Sequence, residues 1–237
     1  MKQSHNIALI LAGGTGRRMG AILPKQFMEI DGETVLLHTL RAFQQHPLIH
    51  EIYLVCMPEW EPFVRAEAKR GEISKLSGII AAGNTCYDSA RRGIEYLARQ
   101  ETLPGTIILI HDVVRPLITQ DIISRNIAVC LTHGNAITAL HSHEAYLKTS
   151  DSNTADGLLP RDTLMRAQTP HTFHLATLQR MIRLADERGI HETQSIITLA
   201  GELGITPLHI AHGDLRNFKI TEQSDILIYR ALKTLEE

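Results

Sequence analysis

Cysteine is scarce in this 237-residue chain: Cys56, Cys86 and Cys130 stand far apart, in no metal-type spacing. Such usage argues against a disulfide framework and suits a reduced, cytoplasmic setting. Surplus charge is lacking as well. The 24 Lys and Arg against 26 Asp and Glu give a formal net charge of -2, whereas duplex-binding proteins need a basic face. No stretch approaches the roughly 18 consecutive apolar residues of a membrane span. The apolar run at the start covers only residues 7–12, too short for the core of a signal peptide. The expectation is a soluble, cytoplasmic protein with neither nucleic acid nor membrane as partner.

What the chain does hold is an ordinary 43% of apolar residues, enough for one sizeable core. Its length suits a single domain over residues 1–237. Apolar or β-rich runs at 7–12, 51–56, 78–82, 106–110 and 135–140 read as strands. Helical spacing marks 34–43, 60–70, 89–100 and 119–131. Strands alternating with helices imply βαβ units and a mainly parallel sheet, which binds ligands beyond the carboxyl ends of its strands. Three chemical loops fall at such ends: 13–25, 83–89 and 111–116. The rhythm breaks between 145 and 168, around a polar turn at 150–157, and this predicts a hairpin-like arm over about 141–168. Helices resume at 175–187 and 193–203, then a strand at 207–211 and a last helix at 223–235.

The first loop carries the most chemistry. An apolar strand runs into Gly13, Gly14 and Gly16, followed by Arg17, Arg18 and, behind Pro24, Lys25. Glycines there let backbone N–H groups approach an anion, and the cations suit phosphate. The dinucleotide fingerprint fails because Met19 stands where a third glycine would be, and the Walker pattern fails at Pro24-Lys25-Gln26. A triphosphate-wrapping loop of another kind remains. His141-Ser142-His143-Glu144 and His171-x-x-His174 lack the three or four ligands of a zinc site, so both are read as solvated or hydrogen-bonded histidines.

Ala12-Gly13-Gly14-x-Gly16-x-Arg18-Met19-Gly20 with Pro24-Lys25-Gln26-Phe27 resembles the sugar- and polyol-phosphate nucleotidyltransferases. Within them it is similar to the cytidylyltransferases of 2-C-methyl-D-erythritol 4-phosphate and of ribitol 5-phosphate. His111-Asp112-Val113-Val114-Arg115-Pro116, Ala167-Gln168-Thr169-Pro170 and Asn217-Phe218-Lys219-Ile220-Thr221 with Asp225 extend the likeness along the chain, as do Gly83 and Ser89. The resemblance implies a Rossmann-like α/β fold of the nucleotide-diphospho-sugar transferase type with a protruding β-arm. It implies CMP transfer from CTP to a polyol phosphate, with Mg2+ and no organic cofactor. Arg18, Lys25 and Lys219 are the expected catalytic cations. Ala12, Gly13, Gly14, Gly83, Ser89 and Asp112 would hold the nucleotide. Arg115, Arg161, Thr169, Thr193 and Lys219 would hold the acceptor, with Arg166 a weaker candidate than Arg161. Asp112, and less strongly Asp225, are the candidate metal ligands. The arm implies a homodimer in which an arginine reaches the partner's site.

Departures from the family pattern gather on the acceptor side: Ala145/Tyr146 where a D-T pair is usual, His171 after Thr169-Pro170, Gln194-Ser195 after Thr193, and Cys86 in the cytidine loop. Methylerythritol phosphate is the first expectation for the acceptor and ribitol 5-phosphate the alternative. A non-catalytic CTP-binding regulator is the rival of another class, opposed by the joint presence of Arg18, Lys25, Asp112 and Lys219.

Overall fold

Strand β1 (Asn6–Ala12) is apolar throughout because both of its faces are covered. Ala8, Ile10 and Ala12 point into one core, while Ile7 and Leu9 point into the other. The computed structural model describes residues 4–14 and 23–234. In chain order the further elements are β2 (Glu29–Ile30), β3 (Glu33–Thr34), α1 (Val35–Gln45), β4 (Glu51–Cys56), α2 (Glu61–Arg70), β5 (Leu76–Ala81), α3 (Cys86–Ala98), β6 (Ile107–Asp112) and α4 (Gln120–His133). They continue with β7 (Asn135–His141), β8 (Tyr146–Lys148), β9 (Gly157–Leu159), β10 (Met165–His174), α5 (Leu175–Glu187), α6 (Ile196–Glu202), β11 (Ile210–His212) and α7 (Ser224–Lys233).

The main sheet has seven strands in the order β11-β7-β10-β6-β1-β4-β5. All pairings are parallel except the two made by β10, which runs antiparallel between β6 and β7. Residues of α1, α2 and α4 fill the core on one face; those of α3, α5 and α6 fill the other. The helices start where side chains can cap them. Thr34, Thr85 and Thr119 accept from the backbone N–H three residues on, in α1, α3 and α4. A smaller cluster of Ile30, Val35, Ile220 and Tyr229 seats α7 beside the β2–β3 hairpin.

Strand β10 departs from the sequence expectation, which placed no strand over 165–174. It spans ten residues, yet it carries Pro170, a residue that central strands usually exclude. A register shift between Ala167 and His171 accommodates it. A buried polar network then holds the irregularity in place. Thr138 Oγ1 donates to the Pro170 carbonyl at 2.7 Å, Asn126 Nδ2 donates to Thr138 Oγ1 at 2.8 Å, and Thr172 Oγ1 donates to Asn126 Oδ1 at 3.1 Å.

Strands β8 and β9 pair as an antiparallel hairpin separate from the main sheet. Its Leu147 and Leu158 are 63% and 66% exposed, uncommon for leucines in an ordered ribbon. Among the described residues no helix is long and apolar enough to cross a membrane.

Candidate active site

Ala12 closes β1, and Gly13 and Gly14 follow at the sheet's carboxyl edge. Gly13 is required by space: a Cβ there would lie 2.8 Å from Ala82 Cβ and 3.1 Å from Ser89 Oγ. A Cβ on Gly83 would collide with the Asp88 carboxylate. That carboxylate accepts from the Asn84 backbone N–H at 2.9 Å, and Ser89 Oγ accepts from the Gly83 N–H at 3.0 Å. The second loop is thus folded back onto the first turn of α3, and the two glycine loops face each other.

Lys25 opens a short turn of 3-10 helix, Lys25–Phe27, whose next two residues are buried. Phe27 packs on Trp60 and Phe63, with ring centroids 4.6 and 5.1 Å away. Gln26 Nε2 donates to the carbonyls of Ala12 and Gly14, both at 2.8 Å. Two anchors below leave Lys25 at the rim, where its Nζ donates to the Thr221 carbonyl at 2.8 Å.

The segment around Lys219 is fixed in the same manner. Asn217 is fully buried; its Nδ2 donates to the Thr169 carbonyl at 2.7 Å, and its own carbonyl accepts from an Arg115 guanidinium nitrogen at 2.8 Å. The Ile220 N–H donates to the Val114 carbonyl at 2.9 Å. Lys219, held between these two anchors, places Nζ 2.8 Å from Asp112 Oδ2, and Arg115 Nε lies 3.6 Å from the same oxygen. Burial alone would raise the Asp112 pKa; the charges of Lys219 and then Arg115 overcome it and hold the carboxyl below the usual range.

Behind Asp112 lies a hydrogen-bonded chain. His111 is fully buried, and burial pushes its pKa down to about 3, so the ring is neutral. Its Nε2 lies 3.2 Å from the Arg115 carbonyl, which can only accept, and this assigns the proton to Nε2. Nδ1 then accepts from Thr169 Oγ1 at 3.0 Å, and that oxygen accepts from the Asp112 backbone N–H at 3.1 Å. Strand β6, strand β10 and the 112–115 turn are thereby locked together directly under the Asp112 carboxylate.

These elements enclose a cleft of about 350 Å³ that exposes Gly13, Gly14, Lys25, Ser89, Asp112 and Lys219 to one space, a volume suited to a small-molecule site. Cys86 lines it too, its thiol raised by burial and by the Asp112 carboxylate. Arg18 lies outside the described residues. Arg115 and Thr169 contact Asp112 from behind the cleft without lining it, and Arg161 and Thr193 do not line it either. Arg161 is exposed beside Asp162, and Thr193 bonds Glu202 at 3.3 Å. Asp225 is occupied locally: one oxygen accepts from the Thr221 N–H and Oγ1 and from the Glu222 N–H at 2.6 to 2.9 Å. Gln26, Asn217 and Asp88 were not singled out from sequence as functional. Gln26 and Asn217 stand inside quoted motifs; Asp88 carries no signal beyond its place at the start of a helix.

A family model described as IspD, 2-C-methyl-D-erythritol 4-phosphate cytidylyltransferase, matches residues 6–234. The chain belongs to this cytidylyltransferase family. It is 34% identical over 232 residues to a 2-C-methyl-D-erythritol 4-phosphate cytidylyltransferase of Syntrophus aciditrophicus, covering 98% of this chain and 97% of that one. It is also 32% identical over 233 residues to a ribitol-5-phosphate cytidylyltransferase of Streptococcus agalactiae serotype Ia, with the same two coverages. Among solved structures, the Thermus thermophilus 2-C-methyl-D-erythritol 4-phosphate cytidylyltransferase superposes with a TM-score of 0.74 at 26% identity, covering 98% of each chain. As a cytidylyltransferase the chain is a CTP-dependent nucleotidyltransferase with a mainly parallel sheet flanked by helices. Relatives named for each of the two acceptors cover 98% of it.

Proposed function

We propose that this cytidylyltransferase joins CMP to 2-C-methyl-D-erythritol 4-phosphate, forming a CDP-polyol for isoprenoid precursors. The observation that carries the chemistry is the meeting of Lys25, Lys219 and Asp112 at the mouths of the two glycine loops. An oxygen of the acceptor phosphate attacks the α-phosphorus of CTP, the bond to the bridging oxygen breaks, and pyrophosphate leaves. Two anions must approach, and charge moves onto the leaving group. Positioned cations meet both demands without a covalent intermediate. On this reading Lys25 and Arg18 face the leaving pyrophosphate, while Lys219 bridges the α-phosphate and the attacking phosphate. The backbone around Ala12, Gly13, Gly14, Gly83 and Ser89 selects the base and ribose.

Asp112 is a carboxylate at the cleft, and Mg2+ typically takes one or two carboxylates together with substrate phosphates; the residue set fits. The metal would supply charge neutralisation at the phosphates. Asp225 is committed to three local donors and fits this role less well.

The relatives named for ribitol 5-phosphate support a second reading, CDP-ribitol synthesis. Pyrophosphate release from CTP with each acceptor separates the two. Release with ribitol 5-phosphate alone would overturn the first, and CTP binding with no release from any polyol phosphate would favour a regulator. ATP, GTP and UTP in place of CTP test the base.

A homodimer through the arm is supported by the exposed Leu147 and Leu158 on the β8–β9 hairpin and by Arg161 lying outside its own chain's cleft. A monomeric mass in solution would refute that arrangement. The cytoplasmic reading is supported by three free cysteines.

A further inference from the structure

Gln168 on β10 is only 2% exposed, and a buried amide is costly unless both of its ends are bonded. It opens the irregular stretch 168–170, where the register of β10 against β7 shifts. Among the described residues, the hydrogen bonds of its side chain all run to the segment that follows β11. Nε2 donates to the Asp214 carbonyl at 2.9 Å, and Oε1 accepts from the Asp214 N–H and from Asn217 Nδ2, each at 3.4 Å. A carbonyl only accepts and a backbone N–H only donates, so these partners fix which end of the amide is oxygen. Gln168 thus meets both backbone polar groups of Asp214, as the facing residue of a neighbouring strand does. The approach is close: a Cβ on Gly213 would collide with Gln168 Oε1.

That segment carries Lys219. Residues 213–223 contain neither helix nor strand, so single bonds must set their course. The Gly213 N–H donates to the Ala139 carbonyl and the Ile220 N–H to the Val114 carbonyl, both at 2.9 Å. Between them the Asn217 N–H closes a turn on the Asp214 carbonyl at 3.1 Å, the same carbonyl that Gln168 holds. The Asp214 carboxylate is taken up inside the turn by Arg216. Gln168 and the bond from Asn217 Nδ2 to the Thr169 carbonyl therefore tie the turn to β10.

We propose that Gln168 is a positioning residue for the transfer reaction: its amide docks the 214–217 turn on β10 and so sets the Lys219 ammonium against Asp112. This rests on the reading of Lys219 as a cation of the reaction. Gln168 does not line the nucleotide cleft, and it acts through Lys219 alone.

A double-mutant cycle tests it. Turnover is read as pyrophosphate release from CTP with whichever polyol phosphate the enzyme accepts. Gln168→Met keeps the length of the side chain and removes its hydrogen bonds. With Lys219 present it should lower kcat by about tenfold to a hundredfold, the scale of a small misplacement near the reacting atoms. In the Lys219→Ala background the same change should alter kcat by no more than about twofold, since the group it acts through is gone. An equal fall in both backgrounds, or none in either, overturns the proposal.

Gly213→Ala presses a methyl group on Gln168 Oε1 and displaces the amide, so it carries the cycle if Gln168→Met does not fold. Failure of both variants to fold makes Gln168 a residue of the core alone and also overturns the proposal. The cycle is then read again in the calorimetric affinity for CTP, which needs no turnover. Gln168→Met should weaken CTP about fivefold, the scale of one hydrogen bond, and only where Lys219 is present. Turnover of Lys219→Ala equal to that of the parent enzyme removes the premise and the proposal with it. Failure of the polyol-phosphate reading looks different: the parent enzyme releases no pyrophosphate with any acceptor, while the CTP cycle still shows the coupling.

Discussion

Lys219 Nζ and Asp112 Oδ2 lie 2.8 Å apart although 107 residues separate them in the chain. The pair joins the end of β6 to the segment after β11, and both residues line the cleft between the two glycine loops. Asp112 also carries Arg115, so one mostly buried carboxylate balances two cations.

Asp112→Asn should therefore cost both stability and activity. Removing one member of a buried pair leaves an uncompensated charge, at about 3 kcal/mol, read as a lower denaturation midpoint in urea. Lys219→Ala should behave differently. Its side chain is 43% exposed and Asp112 keeps Arg115 as a counter-charge, so the loss of stability should be the smaller of the two while turnover falls by about a hundredfold, the scale expected when a group that stabilises transition-state charge is lost. Comparable midpoints for the two variants would contradict this division.

For Lys25→Ala a larger loss in turnover than in stability is expected, because burial of Gln26 and Phe27, and not the ammonium, anchors the turn. Stopped-flow release of pyrophosphate beside a melting curve measures both. Turnover equal to that of the parent enzyme would remove Lys25 from the mechanism.

Gly83→Ala forces a methyl group against the Asp88 carboxylate that holds the Asn84 N–H. Displacement of that side chain opens the loop. Overpacking of this kind costs about 1–3 kcal/mol, and the CTP KM should rise while the acceptor KM stays near its original value.

Acid should weaken the fold before the carboxylates titrate. Burial lowers the pKa of His111 to about 3 and that of His171 to about 4. The unfolded chain binds protons on both from about pH 6.5 downward, while the native state refuses them. Stability is therefore fully present above about pH 6.5 and declines as the pH falls toward 4, by about 2 kcal/mol per histidine at pH 5. Urea midpoints at pH 7 and pH 5 check this, and His171→Gln should show a smaller decline between them than the parent protein.

Most of the parallel sheet could be read from the chain, because strands covered on both faces are apolar without interruption and their helices keep the 3.6-residue period. The run 51–56 and the helix at 175–187 have the predicted boundaries. Strand β10 could not be read so. Met165-Arg166-Ala167-Gln168-Thr169-Pro170-His171 alternates in no helpful way, and what admits it to the sheet is a tertiary network from Asn126, Thr138 and Thr172. That Gly13, Gly14, Lys25, Gly83, Ser89 and Asp112 share one cleft was legible for a related reason: they lie where strands end, close to their own motifs. What else surrounds Lys219 depends on distant residues that the fold brings beside it, and residue spacing along the chain does not encode that. Arg166 is the instance: the fold sets it on a cavity with Arg115 and Lys219, a grouping that no spacing along the chain announces.

The reversed direction of β10 has a consequence for how such an enzyme can diversify. Its neighbours in the sheet reach the site with their carboxyl ends, whereas β10 enters at that same edge and leaves across the sheet. The glycine loops thus hang from parallel strands alone, whereas the antiparallel one brings Thr169 to the Asp112 backbone from the opposite direction. Substitutions at the exposed positions 166 and 167 can be tried by mutation and drift without breaking a hydrogen bond of the glycine loops. A lineage could change its alcohol while keeping its nucleotide.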